Sequence, residues 1–314
     1  MSFFPGKDPQ AGDAYSCDAI AHVVVPRTVD LGDGFSVRRA LPSARSRMVG
    51  PFIFFDHFGP AEFRAGTGLD VRPHPHIGLS TVSYLFDGEI MHRDSLGSSQ
   101  AVRAGEVNWM TAGRGITHSE RFEKARAQGD RLDGIQAWVA LPTEREEIDP
   151  GFWHTPADAL PVFDGDGLVG RLIAGSLGGL TSPVRIDSPQ FYVHWQLRAG
   201  ARASLPPEYP QRAVYVASGD VEVDGQRVQA GDMAVLATGG AVTVTALTDA
   251  VVMALGGEPV GPRYIDWNFV SSSLERIDQA RADWAAGRMK LPDLDDGEFI
   301  PLPARLGAAP EPMS

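Results

Sequence analysis

Cysteine is nearly absent from this 314-residue sequence, which contains only Cys17. A single thiol cannot form an intrachain disulfide, and it excludes zinc or iron–sulfur sites built from several cysteines. No apolar run approaches the roughly 20 residues of a membrane-spanning helix, so we expect no membrane partner. The sequence starts without a basic segment followed by an apolar stretch, and we therefore expect no export signal and a cytoplasmic location.

Basic residues are also scarce, since 28 Lys and Arg stand against 40 Asp and Glu, for a formal net charge of −12. Without a basic excess to replace the counterions of a phosphate backbone, we expect no direct nucleic-acid partner. The remaining composition is that of an ordinary globular protein, with 43% hydrophobic and 22% charged residues. A chain of this length has enough core for two domains.

Helical periodicity is limited to one stretch near the C-terminus. Elsewhere, from residue 21 to about 255, short apolar or alternating runs are separated by Gly, Pro, Asp and Ser, a pattern typical of strands. Near the C-terminus, Ser272 and Glu275 have the spacing of a capping box before an apolar helical face. We predict an all-β fold with one packing helix at about residues 272–288.

An internal repeat indicates two copies of one β-unit. In both copies a strand, a glycine turn and a strand are followed by a second, similar piece and a glycine-rich turn. The turns align Gly88 with Gly219 and Gly105 with Gly231. We predict an N-terminal domain over residues 1–145 and a C-terminal domain over residues 146–314.

Two pairs of polar residues have the spacing of metal ligands on strands. Side chains two residues apart on a strand share a face, so His74 projects with His76, and His118 projects with Glu120. Three imidazoles and one carboxylate that converge on one point suit one divalent ion, Fe(II), Mn(II), Co(II), Ni(II) or Cu(II), with positions left open for substrate. Zinc is a poorer match, although sets of three histidines also bind zinc.

The other histidines lack this paired spacing. His22, His154 and His194 are isolated, and we interpret them as structural or surface residues. His57 and His92 stand in segments that could approach the metal site, but we favour a structural interpretation for each.

Three longer segments resemble the signature of the pirin family: Pro73–Gly88 (PHPHIGLSTVSYLFDG), Trp109–Glu120 (WMTAGRGITHSE) and Phe54–Pro60 (FFDHFGP). The similarity extends to Gly256–Pro259 and to the C-terminal helix, and so covers most of the chain. Pirins are bicupins. The resemblance therefore implies two face-to-face β-barrels of the jelly-roll type, with the metal in the N-terminal barrel.

The resemblance also implies a ligand set made of His74, His76, His118 and Glu120, usually around Fe(II). One departure is from the wider cupin pattern, in which a glutamate follows the paired histidines by four positions. Ser80 stands at that place here, so the acidic ligand has to come from Glu120.

The second copy of the repeat lacks these ligands. When the copies are aligned on their glycines, the four expected ligands fall opposite residues that cannot bind a metal: Leu205, Pro207, Val244 and Ala246. We therefore expect one metal per chain, and a C-terminal domain that acts as a scaffold, lid or recognition surface with a filled interior.

The resemblance suggests an enzyme, because some pirins are known for quercetin 2,3-dioxygenase activity. Such a site binds a phenol or enol substrate as its conjugate base, and Glu120 is the candidate catalytic residue that accepts the proton. A small aromatic substrate suits the phenylalanines at positions 52, 54, 55 and 58 if they line the mouth, although such a run is more often core.

Two other functions stay open at this point. Pirins are also known as partners of transcription factors or metabolic enzymes, with binding controlled by the occupancy or redox state of the metal. The acidic composition is compatible with such a protein partner. A metal-binding protein with a role unrelated to either is the third option.

Overall fold

The computed structural model describes residues 19–32, 35–68, 70–305 and 310–312, so Cys17 lies outside the described residues. The described residues form 25 strands and two α-helices, α1 (Glu123–Gln128) and α2 (Leu274–Ala285). No helix in these ranges is long and apolar enough to cross a bilayer. The all-β prediction with a C-terminal helix is confirmed.

The strands of the first half, in chain order, are β1 (Ile20–Val24), β2 (Arg27–Gly32), β3 (Phe35–Leu41), β4 (Phe52–Phe63), β5 (Asp70–His76), β6 (Leu79–Asp87), β7 (Glu89–Asp94), β8 (Ser99–Arg103), β9 (Val107–Thr111), β10 (Ile116–Arg121), β11 (Asp130–Ala140) and β12 (Gly151–Thr155). Those that follow are β13 (Val162–Gly165), β14 (Leu168–Leu177), β15 (Leu180–Thr181), β16 (Gln190–Leu197), β17 (Arg202–Leu205), β18 (Gln211–Ser218), β19 (Val221–Val223), β20 (Gln226–Val228), β21 (Met233–Leu236), β22 (Val242–Ala246), β23 (Ala250–Gly257), β24 (Tyr264–Asp266) and β25 (Phe269–Ser271).

Each half consists of a large sheet and a four-stranded sheet. In the N-terminal half the large sheet has the order β12-β9-β6-β11-β4-β3-β2 and the small one β5-β10-β7-β8. In the C-terminal half the orders are β1-β21-β18-β23-β16-β14-β13, with β15 added on β14, and β17-β22-β19-β20. The two halves match strand for strand, which confirms the internal repeat and the bicupin organisation of jelly-roll sheets.

The edge strands of the large sheets are exchanged between the halves. Strand β1 pairs with β21 of the C-terminal sheet, with Val23 opposite Ala234. Strand β12 follows residue 145 and yet pairs with β9 of the N-terminal sheet, with Trp153 opposite Trp109. The predicted boundary between residues 145 and 146 therefore does not separate the two large sheets at these edges.

The two large sheets pack against each other through a shared apolar core. Phe55 of β4 contacts Tyr192 and Tyr215 of the C-terminal sheet, with ring centroids 6.5 and 5.0 Å apart. Phe52 contacts Tyr192 at 5.6 Å. A β-bulge in the pairing of β4 with β11 turns Phe52 to the same face as Phe55, although the two are an odd number of residues apart.

The N-cap of the C-terminal helix lies one residue later than predicted. Its N-cap is Ser273, whose hydroxyl accepts a hydrogen bond from the Arg276 backbone amide. Ser272 is not the cap, because its hydroxyl and its backbone amide both donate to the buried carboxylate of Glu146. The apolar face of the helix buries Ile277 and Trp284, as expected for a packing element.

His194 lies buried in the interface between the large sheets. Its Nδ1 accepts a hydrogen bond from the Tyr84 hydroxyl at 2.8 Å, and that hydroxyl accepts one from Arg171 at 3.3 Å. Burial, followed by the nearby Arg171 charge, lowers the pKa of His194 from 6.5 to about 3. The interface therefore holds a neutral imidazole.

Replacement of this histidine should flatten the acid side of the stability profile. Between pH 6.5 and about 3 the unfolded chain binds one more proton at His194 than the folded protein. His194 should thus lower the free energy of unfolding by up to about 1.4 kcal/mol for each pH unit of acidification. The His194→Gln variant lacks this contribution, so its free energy of unfolding should fall less steeply in acid. Denaturant unfolding at several pH values measures the slope. Equal slopes for the two proteins would contradict the assignment.

Candidate metal centre

The candidate ligands lie on one face of the small N-terminal sheet. Strand β10 is flanked by β5 and β7, and His118 is opposite His74 on β5. On the other side, His118 is opposite Asp94 and Glu120 is opposite His92 on β7. Because side chains directly opposite each other in a sheet share a face, all these polar groups point into the interior of the N-terminal half.

Three histidines form the centre of this polar face. Each of His74, His76 and His118 offers one ring nitrogen such that the three atoms lie within 4.8 Å of one another. The Nε2 atoms of His76 and His118 are 3.1 Å apart. All three side chains are buried. The structure therefore brings together the three imidazoles that the sequence spacing singled out.

Backbone carbonyls fix the tautomers of two of these rings. The Nδ1–H of His74 donates to the Arg72 carbonyl at 2.9 Å. The Nδ1–H of His76 donates to the Asn268 carbonyl at 3.1 Å. A neutral imidazole has only one N–H, so each ring presents an unprotonated Nε2 toward the cluster.

Burial lowers the pKa of all three imidazoles, and lowers those of His76 and His118 well below the usual value. Repulsion from His74 adds to the effect at both rings, whereas the Glu120 charge opposes it at His74. The three rings are therefore neutral at neutral pH. This is the protonation state that metal binding requires.

Glu120 lies beside the cluster and is held from the opposite sheet. Gln136 Nε2 donates to both carboxylate oxygens, at 2.8 and 3.0 Å, and the Ser83 hydroxyl donates to Oε1 at 3.2 Å. Glu120 is not one of the three residues of the tight nitrogen cluster. Its role as a fourth ligand stays a prediction.

The donor set fits a borderline divalent ion. Three neutral imidazoles that converge through Nε2, with one buried carboxylate beside them, suit Fe(II) and its neighbours in the first transition row. Buried imidazoles without a charge also need no proton removal before they bind. The chemistry of the residues thus agrees with the metal site expected from the sequence, and the identity of the metal stays a prediction.

A hairpin from the C-terminal half closes one side of the centre. Strands β24 and β25 form this hairpin, and its turn supplies the Asn268 carbonyl that binds His76. Phe269 pairs with Ile77, the residue after the second histidine. Gly78 has φ +66°, and a Cβ there would lie 2.0 Å from the Val270 carbonyl oxygen, so a side chain is excluded at this position.

An aromatic wall flanks the cluster. The Trp138 ring contacts His76 at 5.1 Å and stacks on Phe54 at 4.1 Å. The Arg39 guanidinium covers the other face of Phe54 at 4.4 Å. Of the four phenylalanines considered as lining of the substrate site, Phe54 is therefore the one in this wall. Phe52 and Phe55 lie in the core between the sheets, and Phe58 packs in a separate apolar cluster.

The remaining histidines have structural partners, with one exception. His22 bonds to Ser46, His154 to Asn108, and His194 to Tyr84. His57 lies between the large sheets, where it contacts Asp133 and Tyr215 at 2.8 and 2.9 Å. The exception is His92, which bonds to Asp94 through Nε2 but also has its Nδ1 3.3 Å from Nδ1 of the candidate ligand His118.

The equivalent positions of the second copy are apolar, but the alignment needs a correction. Strand β22 pairs with β17 so that Val244 is opposite Ala203 and Val242 is opposite Leu205. With Val244 equivalent to His118, the counterparts of His74 and His76 are Ala203 and Leu205, two residues before those predicted. Alignment through the glycine turns missed this shift because the connections between strand and turn differ in length. Pro207 is exposed, whereas Ala203, Leu205, Val244 and Ala246 are all buried in an apolar core.

Sequence reasoning missed the groups that form hydrogen bonds to the candidate ligands. Ser83 and Gln136 bind Glu120 from the large sheet, and Asn268 binds His76 from 192 residues away. Ser83 lies inside the conspicuous 73–88 motif, which is the one available signal. Asn268 acts through its carbonyl, a group that every residue carries, and no sequence pattern marks it.

Comparison with known proteins places these features in a family. Residues 34–139 match the pirin family model, and residues 192–290 match the model of the pirin C-terminal cupin domain. A pirin-like protein of Caulobacter vibrioides is 62% identical over 88% of this chain and 97% of its own length. Human pirin is 31% identical over 83% of this chain and 90% of its own.

A solved structure is similar to this chain over most of its length. The crystal structure of a quercetin 2,3-dioxygenase from Acinetobacter baumannii superposes with a TM-score of 0.85 at 35% identity. The match covers 91% of this chain and 96% of that one.

Metal binding should have a stoichiometry of one ion per chain. We expect the protein to retain one equivalent of Fe(II) or Co(II), His118→Ala to lose it, and the control His154→Ala to keep it. Elemental analysis after gel filtration measures the content, and bound metal should raise Tm because only the folded state binds it. A second tight equivalent that persists in His118→Ala would show that the centre lies elsewhere.

Proposed function

The chain belongs to the pirin family, and on that premise we propose that it is a metal-dependent dioxygenase for flavonol-like or other enol and phenol substrates. The observation that carries the proposal is the arrangement of three buried, neutral imidazoles beside one buried and firmly held carboxylate. The similarity to a protein named quercetin 2,3-dioxygenase supports this reaction class.

The imidazoles of His74, His76 and His118 would hold the metal through Nε2. When bound, a redox-active ion such as Fe(II) supplies the one-electron chemistry that reaction with dioxygen requires. The protein contributes a closed, water-poor interior, because all three rings and Glu120 are buried. In such surroundings an ionised substrate oxygen is stabilised by fixed charges and dipoles instead of by solvent.

Glu120 is proposed as the base that receives the substrate hydroxyl proton. Its Oε1 already accepts hydrogen bonds from Ser83 and Gln136, whereas Oε2 accepts only the longer one from Gln136. Oε2 is therefore the oxygen with remaining capacity, and we assign the proton to it. Gln136 and Ser83 keep the carboxylate in one orientation, which is a requirement for efficient proton transfer.

The aromatic wall is proposed to contact the substrate ring. Trp138 and Phe54 form a flat apolar stack that reaches His76. Trp138 Nε1 is buried and has no hydrogen-bond partner among the described residues. Because both faces of Phe54 are covered, a planar aromatic guest would contact the edges of these two rings. A substrate with oxygens beside its ring is also able to satisfy the free indole N–H.

Oxygen uptake by metal-loaded protein tests the function. The full chain is loaded anaerobically with Fe(II), mixed with quercetin, and exposed to dioxygen in an electrode cell. The proposal requires sustained turnover with one dioxygen consumed per flavonol, and none in protein loaded with Zn(II). Absence of turnover with quercetin and with simpler enols would reject the enzyme and leave the regulatory alternative.

The Glu120→Gln variant separates metal binding from proton transfer. We expect it to keep most of its iron, because three imidazoles remain, and to lose about 10²- to 10⁴-fold in turnover, because an amide cannot accept the proton. Rates are compared per bound metal. Glu106→Gln, on the neighbouring strand connection, serves as the matched control. Wild-type turnover in Glu120→Gln would reduce Glu120 to a ligand or a packing residue.

A further inference from the structure

His118 differs from the other two imidazoles in the partner of its Nδ1. His74 and His76 donate to backbone carbonyls, whereas Nδ1 of His118 is 3.3 Å from Nδ1 of His92. The Nε2 of His92 is in turn 3.0 Å from Oδ2 of Asp94. His118, His92 and Asp94 are all buried, so water does not compete for the hydrogen bonds between them.

The position of each proton in this hydrogen-bonded series follows from its last member, Asp94. Oδ1 of Asp94 accepts hydrogen bonds from the backbone amides of Leu96 and Ser98, at 2.9 and 3.0 Å. An anchored carboxylate only accepts, so Nε2 of His92 has to carry its proton. In the neutral form of His92 the Nδ1 is then an acceptor, and Nδ1 of His118 is the donor. Nε2 of His118 is thereby left unprotonated, facing His76.

We propose that His92 and Asp94 are positioning residues that set the metal-binding tautomer of His118. The inference rests on the proposed function only in requiring a metal at the three imidazoles. His92 is not itself a ligand, because its Nδ1 meets the Nδ1 side of His118 and it lies outside the tight nitrogen cluster.

His92 is also held rigidly in place. Its ring stacks on Phe152 with centroids 4.3 Å apart and the planes at 14°. Phe152 lies on β12, the edge strand that joins the N-terminal sheet from beyond residue 145. A fixed ring orientation keeps the hydrogen-bond directions fixed, as an outer group has to do for a metal ligand.

The internal repeat provides independent support. In the N-terminal copy His118 is opposite Asp94 and Glu120 is opposite His92. In the C-terminal copy the same pairing places Val244 opposite Val223 and Ala246 opposite Val221. The copy without ligands therefore has two buried valines where the copy with ligands has His92 and Asp94. We call the His118–His92–Asp94 hydrogen bonds the relay. In these two copies, the relay residues His92 and Asp94 occur only where the candidate ligands occur.

An Asp94→Asn substitution should reverse the relay without a change of shape. The Oδ1 of asparagine would keep the two backbone amides, and its NH₂ would donate to Nε2 of His92. His92 would then donate from Nδ1, and His118 would have to carry its proton on Nε2, where it blocks the metal. We expect about 10- to 100-fold weaker Zn(II) binding, measured by chelator competition. Zn(II) is chosen because its binding does not depend on redox activity.

The metal-free protein provides a second, direct measurement. Long-range ¹⁵N–¹H NMR spectra of histidine-labelled protein report which ring nitrogen carries the proton. His118 should have its proton on Nδ1 in the wild type and on Nε2 in Asp94→Asn. The matched control is Asp133→Asn, which alters the same kind of Asp–His pair at His57, whose partners Asp133, Arg38 and Tyr215 are not candidate ligands. It should leave both Zn(II) affinity and the His118 tautomer unchanged.

Two substitutions of His92 keep the test decisive if Asp94→Asn unfolds. Glutamine has an acceptor and a donor separated as in imidazole, so His92→Gln should bind Zn(II) within about threefold of wild type, whereas His92→Leu should lose 10- to 100-fold. Equal losses in the two variants, or wild-type affinity in Asp94→Asn with the proton still on Nδ1, would overturn the proposal. Altered Zn(II) affinity in a protein that never consumes dioxygen would support the relay and reject only the enzyme.

Discussion

Metal binding at the candidate centre requires that three buried imidazoles each present an unprotonated Nε2 to the same point. In a buried site every ring must therefore direct its single N–H to an acceptor atom outside the cluster. The three partners come from three separate parts of the chain. They are the Arg72 carbonyl on the same strand, the Asn268 carbonyl in a C-terminal hairpin, and His92 on the neighbouring strand. The spacing of the histidines is therefore not sufficient for the site, because each imidazole also needs its own hydrogen-bond acceptor.

This requirement explains why two copies of one fold have opposite interiors. The N-terminal copy buries a network of imidazoles, carboxylates and amides, whose hydrogen bonds offset desolvation but add little net stability. The C-terminal copy fills the same space with alanine, valine and leucine, a core that stabilises through burial of apolar surface. The shared core between the large sheets and the exchanged edge strands β1 and β12 join the two copies. A polar interior is thus supported by an apolar one.

The sequence predicts the parts of this arrangement that are local. The spacing of His74 with His76 and of His118 with Glu120 follows from strand geometry, and the glycine turns reveal the repeat. The sequence-based predictions that are wrong or missing concern features determined by contacts between distant residues. Ser272 has the spacing of a helix cap, but the Glu146 carboxylate recruits it and Ser273 becomes the cap. Loops of unequal length shift the second copy by two residues, and a backbone carbonyl such as that of Asn268 has no sequence signature.

The position of Asn268 has a thermodynamic consequence for the whole molecule. Its carbonyl stabilises the His76 tautomer with an unprotonated Nε2, and it belongs to the hairpin that pairs with the residue after β5 through the Ile77–Phe269 bridge. Because linkage is reciprocal, a metal bound at the centre would stabilise the docked hairpin by the same free energy that the docked hairpin contributes to metal affinity. Gly78, with no room for a side chain against Val270, is the point at which this close approach is enforced. The pirin motif therefore contains two candidate ligands, His74 and His76, and in the next two residues the surface that the C-terminal hairpin contacts.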